Sequence, residues 1–184
     1  IDDIERICKI VKSKNPNCIC FVDNCYGEFV DSREPLEAGA DLIAGSLIKN
    51  PGGGIVEAGG YIAGKAKYVD KSANRLTAPG IGSEGGAMFN QHRLMFQGLF
   101  MAPSVVCDAV KGAVLAAKIF EEIGYDSAPK YNEKRTDIIQ NIIFGSPEPL
   151  EQFCRTIQSL SPVNGYVTPI PEYIPGYEDK VIMA

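Results

Sequence analysis

The sequence predicts an α/β fold built on a mainly parallel sheet, running on into the start of a smaller α+β lobe. Three observations point there. Short apolar runs alternate with helical periodicities through the first half of the chain. The run at residues 18–22 is apolar at every position, as in a strand buried on both faces. Polar or charged residues stand at or just beyond the ends of the first two strands, where ligands of open α/β sheets bind.

Taken in order, residues 2–14 place Ile4, Ile7, Cys8, Ile10 and Val11 at helical spacing, with Asp2 as a cap and Asn15-Pro16-Asn17 as a stop. A strand follows at 18–22 and ends at Asp23-Asn24. One or two helical turns are expected at 34–39, and a second strand at 41–46 leads to Lys49. The loop Asn50-Pro51-Gly52-Gly53-Gly54 reads as irregular, 55–63 as a glycine-containing strand, and 65–76 as a surface helix. Residues 77–86 are glycine-rich and irregular. An apolar stretch over 87–100 includes a helix, and the longest helix is expected over 103–123, with Pro103 in its first turn and Gly124 at its end. Beyond it come a strand at 138–144, a helix at 149–160, a proline-rich loop, and a strand starting at Lys180. The chain opens inside a helix pattern at Ile1 and closes inside a strand pattern, so it reads as an interior portion of a longer protein.

Composition narrows the function. Of 184 residues, 45% are apolar and 22% charged, which suits a globular chain. The net charge of −5 comes without a basic run, so nucleic acid and anionic membranes are not expected partners. No run of the sequence approaches the length of a membrane span, and a cytoplasmic location is the default. The six cysteines read as free thiols. With a single histidine, His92, and no second cysteine pair, no metal site is expected. His92 itself reads as an ordinary helix-surface or interface residue.

Two side chains carry the chemistry. A carboxylate directly after a buried strand, Asp23, either caps the next turn or faces a cation in the ligand crevice. Lys49 has apolar residues before it and a bare-backbone loop after it. It is either a turn lysine or an amine whose partial desolvation lowers its pKa and makes it a Schiff-base nucleophile. Ser46 offers a hydroxyl nearby, and the glycines at 52–54 would let main-chain amides approach a phosphate. Gly80-Ile81-Gly82-Ser83-Glu84-Gly85 has dinucleotide-binding spacing but follows polar residues and a proline rather than a strand. The stripe Leu94, Met95, Phe96, Leu99, Phe100, Met101 serves either core packing or a subunit interface.

Phe21-Val22-Asp23-Asn24 and Ser46-Leu47-Ile48-Lys49 resemble the pattern of the cystathionine and methionine lyases, pyridoxal-phosphate enzymes of cysteine and methionine metabolism. The runs 22–29, 39–54 and 75–82 resemble more closely the bacterial methionine gamma-lyase-like group often labelled aluminium resistance proteins. The resemblance implies the aspartate aminotransferase-like fold, type I. Residues 1–125 would then be the C-terminal part of the large cofactor-binding domain, with a connecting helix over 103–124, and 126–184 the start of the small domain. It implies pyridoxal 5'-phosphate as cofactor, joined to Lys49 as a Schiff base, with Asp23 on the pyridine nitrogen and Ser46 and Asn24 among its contacts. Ile48 stands where that family carries threonine. The implied activity is a carbon-sulfur lyase acting on methionine, cystathionine or cysteine by β- or γ-elimination, in a homodimer or homotetramer. A γ-replacement synthase, an aminotransferase, or a catalytically silent stress-resistance protein are the alternatives.

Overall fold

The computed structural model describes residues 1–86 and 88–184; Ala87, where the apolar stretch at 87–100 begins, lies outside the described residues. Helix α1 (Asp2–Lys14) forms as its periodicity requires. It buries Cys8, carries Asp2, Asp3 and Glu5 in its first turn and Lys12 and Lys14 in its last, and so complements the helix dipole at both ends. Asp2 does not cap the helix. It lies within the first turn, and Arg33 takes up its carboxylate at 2.7 Å.

The sheet has three strands, β1 (Phe21–Asp23), β2 (Leu42–Ser46) and β3 (Gly60–Gly64), in that order. β1 and β2 are parallel, with Phe21 opposite Leu42 and Asp23 opposite Ala44. β3 runs antiparallel to β2, with Ser46 opposite Gly60, so the described sheet is mixed rather than mainly parallel. The reason is the connection. Parallel strands need a crossover, usually helical, whereas the segment after β2 folds straight back: the Leu47 amide donates to the Gly59 carbonyl at 3.0 Å. That closure also takes up residues 55–59, which were expected in the strand. Residues 35–39 form consecutive turns rather than a helix.

Asp41, at 1% exposure, anchors the entrance to β2. Its carboxylate accepts from the Cys20 amide at 2.9 Å, from Lys65 at 2.5 Å and from Lys12, joining α1, β1 and the end of β3. Burial alone would raise its pKa, but these three donors hold it well below the usual carboxylate range.

After α2 (Ala66–Leu76), the Gly80–Gly85 run forms turns and a short 3-10 helix, with α2 rather than a strand before it. The largest departure from expectation follows. The helical stretches on either side of Pro103 fuse into one helix, α3 (His92–Glu122), of 31 residues, with Pro103 in its interior. An interior proline forfeits one backbone hydrogen bond. Tertiary contacts offset this: Gly98, Ala102 and Val106 are buried on either side of the proline. The fused helix is long and apolar enough, by length and composition, to cross a membrane, contrary to the reading of the separate stretches. A helix buried between parts of a protein has the same composition. Gly124, at φ 97°, ends it in the left-handed conformation expected there.

The last segment pairs β4 (Asp126–Ala128) with β5 (Asn141–Ile143) and adds α4 (Pro147–Leu160). Phe120, Tyr125, Phe144 and Phe153 pack together here, with Tyr125 and Phe144 ring centroids 5.0 Å apart. β4 had no counterpart in the sequence expectation. The strand expected from Lys180 is reduced to one bridge between Val181 and Glu172.

Candidate active site

Asp23 ends β1, and Lys49 lies three residues beyond β2, so the parallel pairing brings both to one end of the sheet. Between them lies Cys25. Its amide donates to Asp23 Oδ1 at 3.1 Å, and this bond, with the Cys25 thiol and then the Lys49 charge, lowers the Asp23 pKa. Asp23 is therefore both things its sequence position allowed, a turn cap and a carboxylate within electrostatic reach of a lysine. It is exposed rather than buried. It borders two open cavities of about 440 and 290 Å³ beside α1, and Cys25 lines the smaller.

The Lys49 ammonium stands 4.3 Å from the centroid of the Tyr26 ring. Hydrogen bonding to Tyr26 raises its pKa above the ordinary lysine value, and burial opposes this only in part. The lowered pKa expected from desolvation is thus corrected: Lys49 is only half-buried, and an aromatic face and hydroxyl favour its cationic form.

Tyr26 holds this position with φ at 73°, in the left-handed region that a tyrosine rarely occupies. Asn50 secures it. The buried carboxamide donates to the carbonyls of Tyr26 and Glu28, both at 3.0 Å. Nothing in the residues around it singled out Tyr26, because positive φ at a non-glycine residue follows from distant contacts.

Ser46 ends β2 and turns its hydroxyl onto the Ile48 amide at 3.3 Å, while its carbonyl accepts from the Lys49 amide at 3.4 Å. It shares a turn with Lys49. Asn24, by contrast, faces elsewhere. It is 6% exposed and donates to Glu34 at 3.0 Å, within a buried polar cluster that also holds Glu28 and Tyr61. Asn24, just beyond β1, thus commits its carboxamide to this cluster, while Asp23 bonds the Cys25 amide on the Lys49 side. The cluster borders an open cavity of about 330 Å³ also lined by Leu47, Pro51 and Leu99. Gly45 was its one sequence signal: a Cβ there would meet Glu28 Oε1 and the Tyr61 ring, each at 2.5 Å.

Gly52 and Gly53 do not form an open anion cradle, whereas Gly54 is exposed. The Gly52 and Gly53 amides donate back to Lys49 and Asn50 within a 3-10 turn, and both residues are buried beneath α3. His92 is exposed at the start of α3, and Phe96 and Phe100 are exposed at 71% and 87%, so that stripe is not core within the described residues. All six cysteines are free thiols.

A sequence profile described as methionine gamma-lyase matches residues 1–184. The uncharacterized protein YnbB of Bacillus subtilis (strain 168) is 53% identical over all 184 residues, which span 44% of its length. A structure from Clostridium novyi NT, described as a carbon-sulfur lyase involved in aluminium resistance, is 50% identical with a TM-score of 0.90. It covers 98% of this chain and 42% of that one. A structure from Listeria monocytogenes, described as a proposed cystathionine beta-lyase involved in aluminium resistance, is 52% identical with a TM-score of 0.92, covering 97% and 44%. The chain thus spans less than half the length of these three relatives.

Proposed function

Because this chain belongs to the methionine gamma-lyase family, we propose that it carries the central catalytic residues of a pyridoxal-phosphate-dependent carbon-sulfur lyase of fold type I. The substrate class is a sulfur amino acid, and the reaction a β- or γ-elimination. The observation that supports this most is the pairing of one amine and one carboxylate, Lys49 and Asp23, at the same end of two parallel strands and within electrostatic reach of each other.

The residues present fit the cofactor. An amine accessible enough to form a covalent link and a carboxylate able to keep a pyridine nitrogen protonated stand together, and the Ser46 hydroxyl shares the Lys49 turn. When bound, the cofactor supplies an electron sink for the charge left as the substrate α-proton departs. Asp23, its pKa already lowered, is ionised at neutral pH and suited to hold the ring nitrogen's proton. Lys49 Nζ is the group to hold the cofactor and to move a proton at the substrate. Tyr26 holds that nitrogen as a cation, so its use as a base requires leaving the Tyr26 ring. The solvent-facing Phe96, Leu99 and Phe100 support a homo-oligomeric assembly.

The test is direct. In the complete protein, Lys49→Ala should abolish the visible absorbance of bound cofactor and the borohydride-stable label on the Lys49 peptide. Retention of both would refute the reading. Product assays with methionine, cystathionine and cysteine then separate elimination from γ-replacement and transamination.

A further inference from the structure

Asn50 is 5% exposed and follows Lys49 directly, yet its carboxamide is committed to other main chain, the carbonyls of Tyr26 and Glu28. Those carbonyls bracket the start of a turn with two left-handed aromatics, Tyr26 at φ 73° and Phe29 at φ 64°. Such conformations persist only where the surroundings over-determine them. Here Asn50 supplies two donors, and the Ile138 amide adds a third to the Tyr26 carbonyl at 3.2 Å. A tyrosine relaxed to negative φ would turn its ring away from its present place.

We propose that Asn50 is the positioning residue of the Lys49 amine: by locking Tyr26 in the left-handed conformation it keeps the Tyr26 ring and hydroxyl against Nζ. The inference deepens the proposed function, since it rests on Lys49 being the reactive amine. Among the described residues, the groups that face this amine are Tyr26, Cys25 and, at longer range, Asp23. Of these, Tyr26 contributes most to holding the proton. Loss of Asn50 therefore removes the largest support for the cation without touching the amine itself.

The experiment measures the amine without relying on catalysis. In the complete protein freed of cofactor, Lys49 acetylation by acetic anhydride is followed by mass spectrometry across pH, giving the midpoint of its reactivity. Asn50→Ala should move that midpoint down by about half a pH unit, the scale of a lost cation–π contact. Asn50→Ser, which keeps one donor and is the milder change for folding, should move it in the same direction by less. On a Tyr26→Ala background, Asn50→Ala should add no further shift. An unchanged midpoint in folded Asn50 variants, or an equal added shift without Tyr26, overturns the proposal. Failure of the protein to take up pyridoxal phosphate would instead defeat the proposed function and leave this readout intact.

Discussion

The main-chain carbonyl of Gly98 lies where a side chain on Gly53 would begin: a Cβ at Gly53 would stand 2.4 Å from that oxygen. A Cβ at Gly98 would stand 2.3 Å from the Gly52 carbonyl oxygen. Helix α3 and the turn behind Lys49 therefore cross backbone against backbone, and the helix that leads to β4 braces the candidate site from behind.

Gly98→Ala should lower stability by about 1–3 kcal/mol, because the obstructing atoms are main chain and cannot step aside as a side chain would. Gly53→Ala should cost more, since that residue also sits at φ 56°. Urea midpoints check both. Wild-type stability in Gly98→Ala would refute the close crossing.

Asp41 makes stability depend on acid. Its carboxyl is held well below the usual range in the folded chain despite burial, by Lys12, Lys65 and the Cys20 amide. The unfolded chain therefore takes up the proton first. The stabilisation is complete above the unfolded value of about 4 and is lost as pH falls through the lower folded value. Asp41→Asn should cost about 1–3 kcal/mol at neutral pH, less than a fully buried pair because both lysines reach solvent. The gap between wild type and variant, read from urea unfolding at neutral pH and at about pH 3, should shrink in acid.

Glu28 acts in the opposite sense. Burial, with Glu34 nearby, pushes its pKa up, and its Oε2 has no partner among the described residues. The folded state thus holds the proton more tightly, and stability falls as pH rises from about 4, the unfolded value, toward the folded one. Glu28→Gln keeps an acceptor for the Tyr61 hydroxyl and removes that penalty. Its stability relative to wild type should improve as pH rises from about 4, the unfolded value, through the raised folded one. Tyr61→Phe, which takes the hydroxyl from Glu28 Oε1 at 2.8 Å, should cost about 1–3 kcal/mol. A pH-independent difference for Glu28→Gln would show that Glu28 is not titrating in this window.

The sequence by itself determined α1, α2 and the first two strands, and which two ionisable groups stand near those strand ends. Those features are local: 3.6-residue periodicity marked α1 and α2, the apolar run before Asp23 marked β1, and Gly124 marked the end of α3. Only the tertiary structure decided the direction of β3, the continuity of α3 through Pro103, and the surroundings of Lys49. Each depends on residues distant in sequence: Gly98 against Gly52, Asn50 beneath Tyr26, Tyr61 against Glu28. A side chain's protonation follows from what is packed against it, so Lys49 could be read as an amine of interest from its neighbours in sequence. The added support for its cationic form comes from an aromatic ring whose carbonyl a buried amide, one residue beyond the lysine, holds in place.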